Sequence, residues 1–142
     1  MPRVRGIPTV IAWAALTACG TAQDTENSGS QYGILPEGVT PSMISEGEEI
    51  FLGVGGCHIC HGEDASGARG VGANLTDQEW WHTDGSWRGI AERIRVGVPA
   101  DSVRNELGAM MPARGGSSIT DAQTNAVAAY VWSLRVENRP AG

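Results

Sequence analysis

The sequence predicts an all-α domain of three to four helices, and three observations carry that expectation. Helix-start signals recur at Thr40-Pro41, at Ser86 and at Thr120. Apolar residues that follow the second and third share one helical face, and no run alternates apolar and polar residues convincingly as a half-buried strand does. The sequence also holds 20 Gly and 7 Pro but only one Phe and two Tyr, so the core is thin unless something other than the chain fills it.

Thr40 is a capping residue and Pro41 a first-turn residue, for a helix running to about Leu52. Ser86 caps a second helix from Trp87 to Val96, with Ile90 and Ile94 on one face and Gly97 as its stop. Thr120-Asp121-Ala122-Gln123 is a capping box, and Val127, Tyr130, Val131 and Leu134 recur at helical spacing after it. Gly62–Gly72 and Gly97–Gly116 read as irregular loops.

A length of 142 residues suits one domain. All 10 cationic side chains are Arg, against 16 acidic ones, for a net charge of −6. That balance excludes the basic footprint of a nucleic-acid binder. Glu46, Glu48, Glu49, Glu63 and Asp64 read as a solvated face, with docking to a cationic partner as the alternative.

The first eighteen residues read as an export signal: Arg3 and Arg5, then an apolar run from Ile7 to Ala18 too short to span a membrane. The signal ends in Leu16-Thr17-Ala18-Cys19, which resembles the lipobox of bacterial lipoproteins and makes Cys19 the expected lipidation site. Residues 19–41 then read as a polar linker, 42–138 as the folded domain and 139–142 as a tail. Two or more acyl chains on Cys19 would hold that domain stably on a membrane.

Cys57-His58-Ile59-Cys60-His61 is the C-x-x-C-H attachment pattern of c-type haem. Two thiols three residues apart reach neighbouring edges of a porphyrin, and the histidine that follows presents an imidazole to iron; His58 is a bystander. A thioredoxin-like pair would want a preceding strand and a βαβ setting. A zinc site would need a second ligand pair, and a plain disulfide would leave His61 without a role. For the second axial position the candidates are Met43, His82, Met110 and Met111. Met111 is favoured, because Pro112 holds the residue before it in an extended conformation.

From about Thr40 to Arg135 the chain resembles a class I, mono-haem cytochrome c domain. The motifs that carry the resemblance are C-x-x-C-H, Met111-Pro112, and Gly47 and Phe51 in the first helix, with Tyr130 as their expected partner in the last. Gly72-Ala73-Asn74-Leu75-Thr76-Asp77 with Trp80 is similar to the haem c domains of bacterial terminal oxidases. The resemblance implies one covalent haem c held by Cys57 and Cys60, with His61 and Met111 on the iron. Where the family often has Pro, this chain has Ala73, whose carbonyl is expected to accept the Nδ1 proton of His61. Trp80, Trp81 and Arg88 are candidate donors to the haem propionates, and His82 is expected to be an exposed loop residue. The implied function is single-electron transfer between respiratory or photosynthetic membrane complexes, on the periplasmic side and anchored by lipid. The alternatives are a haem-based sensor or small enzyme with an open sixth position, and a fixed redox subunit of a larger oxidoreductase.

Overall fold

The structure, a computed structural model, describes residues 32–68, 71–103 and 110–137. The expected export signal, Cys19, most of the linker and the tail lie outside the described residues. Helices α1 (Pro41–Leu52), α2 (His58–His61), α3 (Trp87–Val96) and α4 (Asp121–Glu137) follow in order, with 3₁₀ turns at Ala100–Ser102 and Ala113–Gly116. Among the described residues there is no strand, only isolated bridges at Ala68–Gly72 and Val98–Met111. The fold is all-α, as the sequence predicts. No helix among the described residues is long and apolar enough to cross a membrane.

Local chemistry sets the helix limits. The Met43 amide donates to Thr40 Oγ1 at 3.2 Å, and Pro41 occupies the first turn, where its missing N–H costs nothing. The Gly89 amide donates to Ser86 Oγ at 3.0 Å. At the start of α4 the capping box closes both ways: the Gln123 amide donates to Thr120 Oγ1 at 3.2 Å, and the Thr120 amide to Gln123 Oε1 at 2.9 Å.

Helix α4 is the centre of the domain. Every residue from Ala126 to Val131 is buried, so this helix is apolar on all sides over that stretch. It crosses α1 where Ile44, Gly47, Ile50 and Phe51 are buried. At Gly47 a β-carbon would overlap the backbone carbonyl of Ala126, so only glycine lets the two helices approach this closely. One turn further on, Phe51 meets Tyr130 edge-on, with ring centroids 5.3 Å apart. Helix α3 packs on another side of α4, where the Trp87 indole donates to the Asn125 carbonyl at 3.0 Å. Tyr32, Leu35 and Val39, which composition placed in the linker, pack against the same core.

Gly47→Ala should therefore wedge the α1–α4 crossing and destabilise the domain by about 1–3 kcal/mol, as overpacking does. A urea titration followed by helix content checks this, and an unchanged midpoint would mean that the crossing is not the tight point described.

Candidate haem-binding site

After α1 the chain turns sharply, with Gly55 N–H donating to the Ile50 carbonyl at 2.8 Å and Gly56 N–H to Gly53 at 3.0 Å. That turn delivers Cys57 to α2, where the Cys60 and His61 amides both donate to the Cys57 carbonyl, at 3.2 and 3.0 Å. Positions i, i+3 and i+4 of one helical turn share a face, which brings Cys57, Cys60 and His61 together. His58 is turned elsewhere: its Nδ1 bonds the Phe51 carbonyl at 3.1 Å, satisfying a group that the end of α1 leaves open. It is a bystander to the cleft and a cap for the preceding helix.

His61 Nδ1 lies 2.8 Å from the Ala73 carbonyl oxygen. A carbonyl can only accept, so the proton sits on Nδ1 and Nε2 keeps its lone pair. Burial lowers the His61 pKa, an effect only partly offset by the Ala73 bond, which keeps the ring neutral at neutral pH. The segment that presents Ala73 is tied back to the helix, with Gly67 N–H donating to the His61 carbonyl at 2.7 Å and Leu75 N–H to Ala65 at 2.9 Å. Ala65 is fully buried at φ 57°, an uncommon conformation for a residue with a β-carbon. Ala73 offers the expected carbonyl without the stiffness of a proline.

Cys57 and Cys60 are free thiols. Burial pushes the Cys57 thiol up to about 11, which leaves it protonated at neutral pH. Among the described residues no three His, Cys, Asp or Glu side chains converge on a possible metal position. Neither the ligand group of a zinc site nor the strand of a thioredoxin-like setting is present among the described residues.

Met111 is held by its backbone. Its N–H donates to the Val98 carbonyl at 2.9 Å and its carbonyl accepts from Val98 N–H at 2.8 Å. Gly97, at φ 74°, makes this possible, because a β-carbon there would strike the backbone of Met111 and Ala113. Met111 packs partly buried against the core, whereas Met110 is 55% exposed. Met111, unlike Met110, also lines a pocket with Phe51 and Val127.

Cys57, Cys60, His61, Met110 and Met111 all line one cleft, part of it open to solvent. Its deeper part reaches Phe51, Ile90, Ile94, Val127 and Val131 at the centre of the domain. Protein interiors are close-packed, so a mostly apolar cleft that runs into the core suits a flat prosthetic group. The Trp80 indole N–H, buried beside the cleft with no hydrogen-bond partner among the described residues, is a donor that an acceptor on such a group would satisfy. The donor set fits haem: two thiols, one neutral imidazole and one thioether.

The other candidates divide. Met43 is half-buried on α1, packs against the core and does not line the cleft. His82, expected to be exposed, is half-buried at the cleft wall, because its carbonyl accepts from Arg93 Nε at 2.9 Å and ties its loop to α3. Trp81 stands half-exposed at the mouth. Arg88 is exposed, lies over the Trp87 ring at 5.9 Å and does not reach the cleft. Arg93 takes the place expected for it: it lines the cleft and also donates from Nη1 to the Gly97 carbonyl at 2.9 Å. Sequence reasoning missed it, although a cation between Ile90 and Ile94 on the buried face of a helix was the available signal. Glu46, Glu48, Glu49, Glu63 and Asp64 are all exposed, as a solvated face should be.

Three known proteins are similar to this chain. The chain is 35% identical over 97 residues to the cbb3-type cytochrome c oxidase subunit CcoP of Cereibacter sphaeroides, covering 66% of this chain and 28% of that protein. It is 26% identical over 127 residues to the thiosulfate dehydrogenase of Stutzerimonas stutzeri, covering 89% of this chain and 39% of that one. The chain thus spans well under half the length of either curated relative. The crystal structure of cytochrome cL from Methylophaga aminisulfidivorans aligns over 82% of this chain and 69% of that one, with 20% identity and a TM-score of 0.48. Residues 42–131, more than half of the chain, match the family model described as cytochrome c oxidase, cbb3-type, subunit III, and the protein belongs to that family of c-type cytochrome electron-transfer domains.

Proposed function

We propose that the protein is a mono-haem c-type cytochrome that carries single electrons between respiratory or photosynthetic membrane complexes, from a lipid anchor on the periplasmic side. The observation that carries this reading is the pairing of one α2 face, bearing Cys57, Cys60 and His61, with a backbone-pinned Met111 on the same cleft. Cys57 and Cys60 would attach one haem c covalently, and His61 Nε2 and the Met111 thioether would ligate its iron. When bound, the haem supplies the one-electron redox chemistry. The chain holds the imidazole in one tautomer, presents a neutral sulfur ligand and surrounds the group with apolar side chains. A thioether and a dry pocket both favour the less charged, reduced form, which suits a carrier that accepts from a quinol-oxidising complex and donates to an oxidase or reductase.

A fixed redox subunit is the second reading, favoured by the similarity to an oxidase subunit and a dehydrogenase. It uses the same site and differs only in whether the domain leaves its partner. A sensor or enzyme with an open sixth position fits less well, because both backbone hydrogen bonds of Met111 hold it in place.

Met111→Ala should abolish the weak far-red absorption band of Met-ligated ferric haem, lower the reduction potential and let carbon monoxide bind the ferrous protein. Met110→Ala should keep the band, since that side chain is 55% exposed. Loss of the band in Met110→Ala alone would put the ligand one residue earlier and overturn this assignment.

If Cys19 is acylated, the native protein should partition into detergent, and Cys19→Ala should move it to the soluble fraction or stall its processing. An unmodified mature N-terminus beyond residue 19 would refute the anchor.

A further inference from the structure

The segment that bears Met111 is fastened on two sides. The bridge to Val98 ties it to the end of α3; the other fastening is a side chain that no motif marks. Arg114 lies three residues after Met111, in the 3₁₀ turn Ala113–Gly116. Its Nη1 donates to the Ile119 carbonyl at 2.9 Å and to Thr124 Oγ1 at 3.0 Å, and its Nη2 donates to Asp121 Oδ1 at 2.7 Å. All three acceptors belong to the entry of α4, and Thr124 is fully buried there. The planar guanidinium is suited to such a fork of acceptors, which a single ammonium could not match.

The backbone at Arg114 is left-handed, at φ 54°, and that of Gly115 follows at φ 65°. A β-carbon disfavours this conformation, and it persists where the surroundings impose it. Here the Gly115 amide closes the turn onto the Pro112 carbonyl at 3.0 Å, and Ser117 Oγ donates to the Arg114 carbonyl at 2.7 Å. The strained turn is thus caught between its own hydrogen bonds and the anchored side chain.

We propose that Arg114 is a positioning residue for the sixth ligand: by clamping the Met111–Pro112 segment to the entry of α4, it keeps the thioether from leaving the iron. This rests on the reading of Met111 as ligand. Arg95 provides the internal control. It donates to the same Asp121 at 3.2 Å and to Glu92 at 2.7 Å, yet it sits on α3 and fastens only α3 to α4.

The test follows the far-red band and the helix content of the ferric holoprotein through one urea titration. In Arg114→Gln the band should vanish at lower urea than in the unaltered protein, opening a gap ahead of helix loss. In Arg95→Gln the two midpoints should shift together. Carbon monoxide should bind ferrous Arg114→Gln roughly tenfold faster than the unaltered protein, because local opening of the segment gates access. Arg114→Lys, which keeps the charge beside Asp121 but loses the fork, should fall between, and it carries the same comparison if Arg114→Gln does not fold. Midpoints that move together in both Arg114 variants, with carbon monoxide binding unchanged, overturn the proposal and leave Arg114 a stabiliser of the fold. An unaltered ferric protein without the band overturns the ligand reading beneath it instead.

Discussion

Small and β-branched side chains dominate the buried centre of this domain, with Trp80, Trp87 and Trp132 only partly buried around it, and its architecture follows from that constraint. Phe51 is the sole phenylalanine of the chain, and it is already committed to the α1–α4 crossing against Tyr130. The rest of the buried set is mainly Ala, Val and Ile. Such side chains let helices approach closely, as at Gly47, but cannot span the distance from α4 to the loops. The apolar cleft that remains runs from the protein surface to Val127 and Val131. A family whose members carry haem c meets this deficit with a group that is both core and function.

The loops around the cleft are ordered by backbone hydrogen bonds more than by side-chain packing. The Gly67–His61 and Leu75–Ala65 bonds place the carbonyl of Ala73, and the paired Val98–Met111 bonds place the methionine. These bonds fix the backbone at Ala73 and Met111, the positions from which the two candidate ligand side chains are set. Burial then disfavours charge at His61, whose neutral ring leaves Nε2 its lone pair.

Much of this was legible in the sequence wherever the determinant is local. Thr40 with Pro41, Ser86, and Thr120 with Gln123 mark helix starts through atoms within three residues, and the structure opens helices at each. The C-x-x-C-H spacing likewise states its own geometry, because one helical turn is enough to realise it. What escaped depends on long-range partners. Pro112 already favours Met111 in the sequence, but the bridge that holds its backbone is to Val98, thirteen residues away, and Arg114 meets the entry of α4. Arg93 rather than Arg88 reaches the cleft because α3 turns its buried face that way, and Tyr32, Leu35 and Val39 were lost in a polar stretch whose composition masked them.

The central claim is that Cys57 and Cys60 join this chain to a single haem. It is tested most directly by the intact mass of the protein, purified from cells able to attach haem and measured in denaturing solvent after treatment with a thiol-alkylating reagent. The account predicts the polypeptide plus the mass of one haem, with neither Cys57 nor Cys60 alkylated. A polypeptide that sheds all haem on denaturation and takes up the reagent at both cysteines would contradict it.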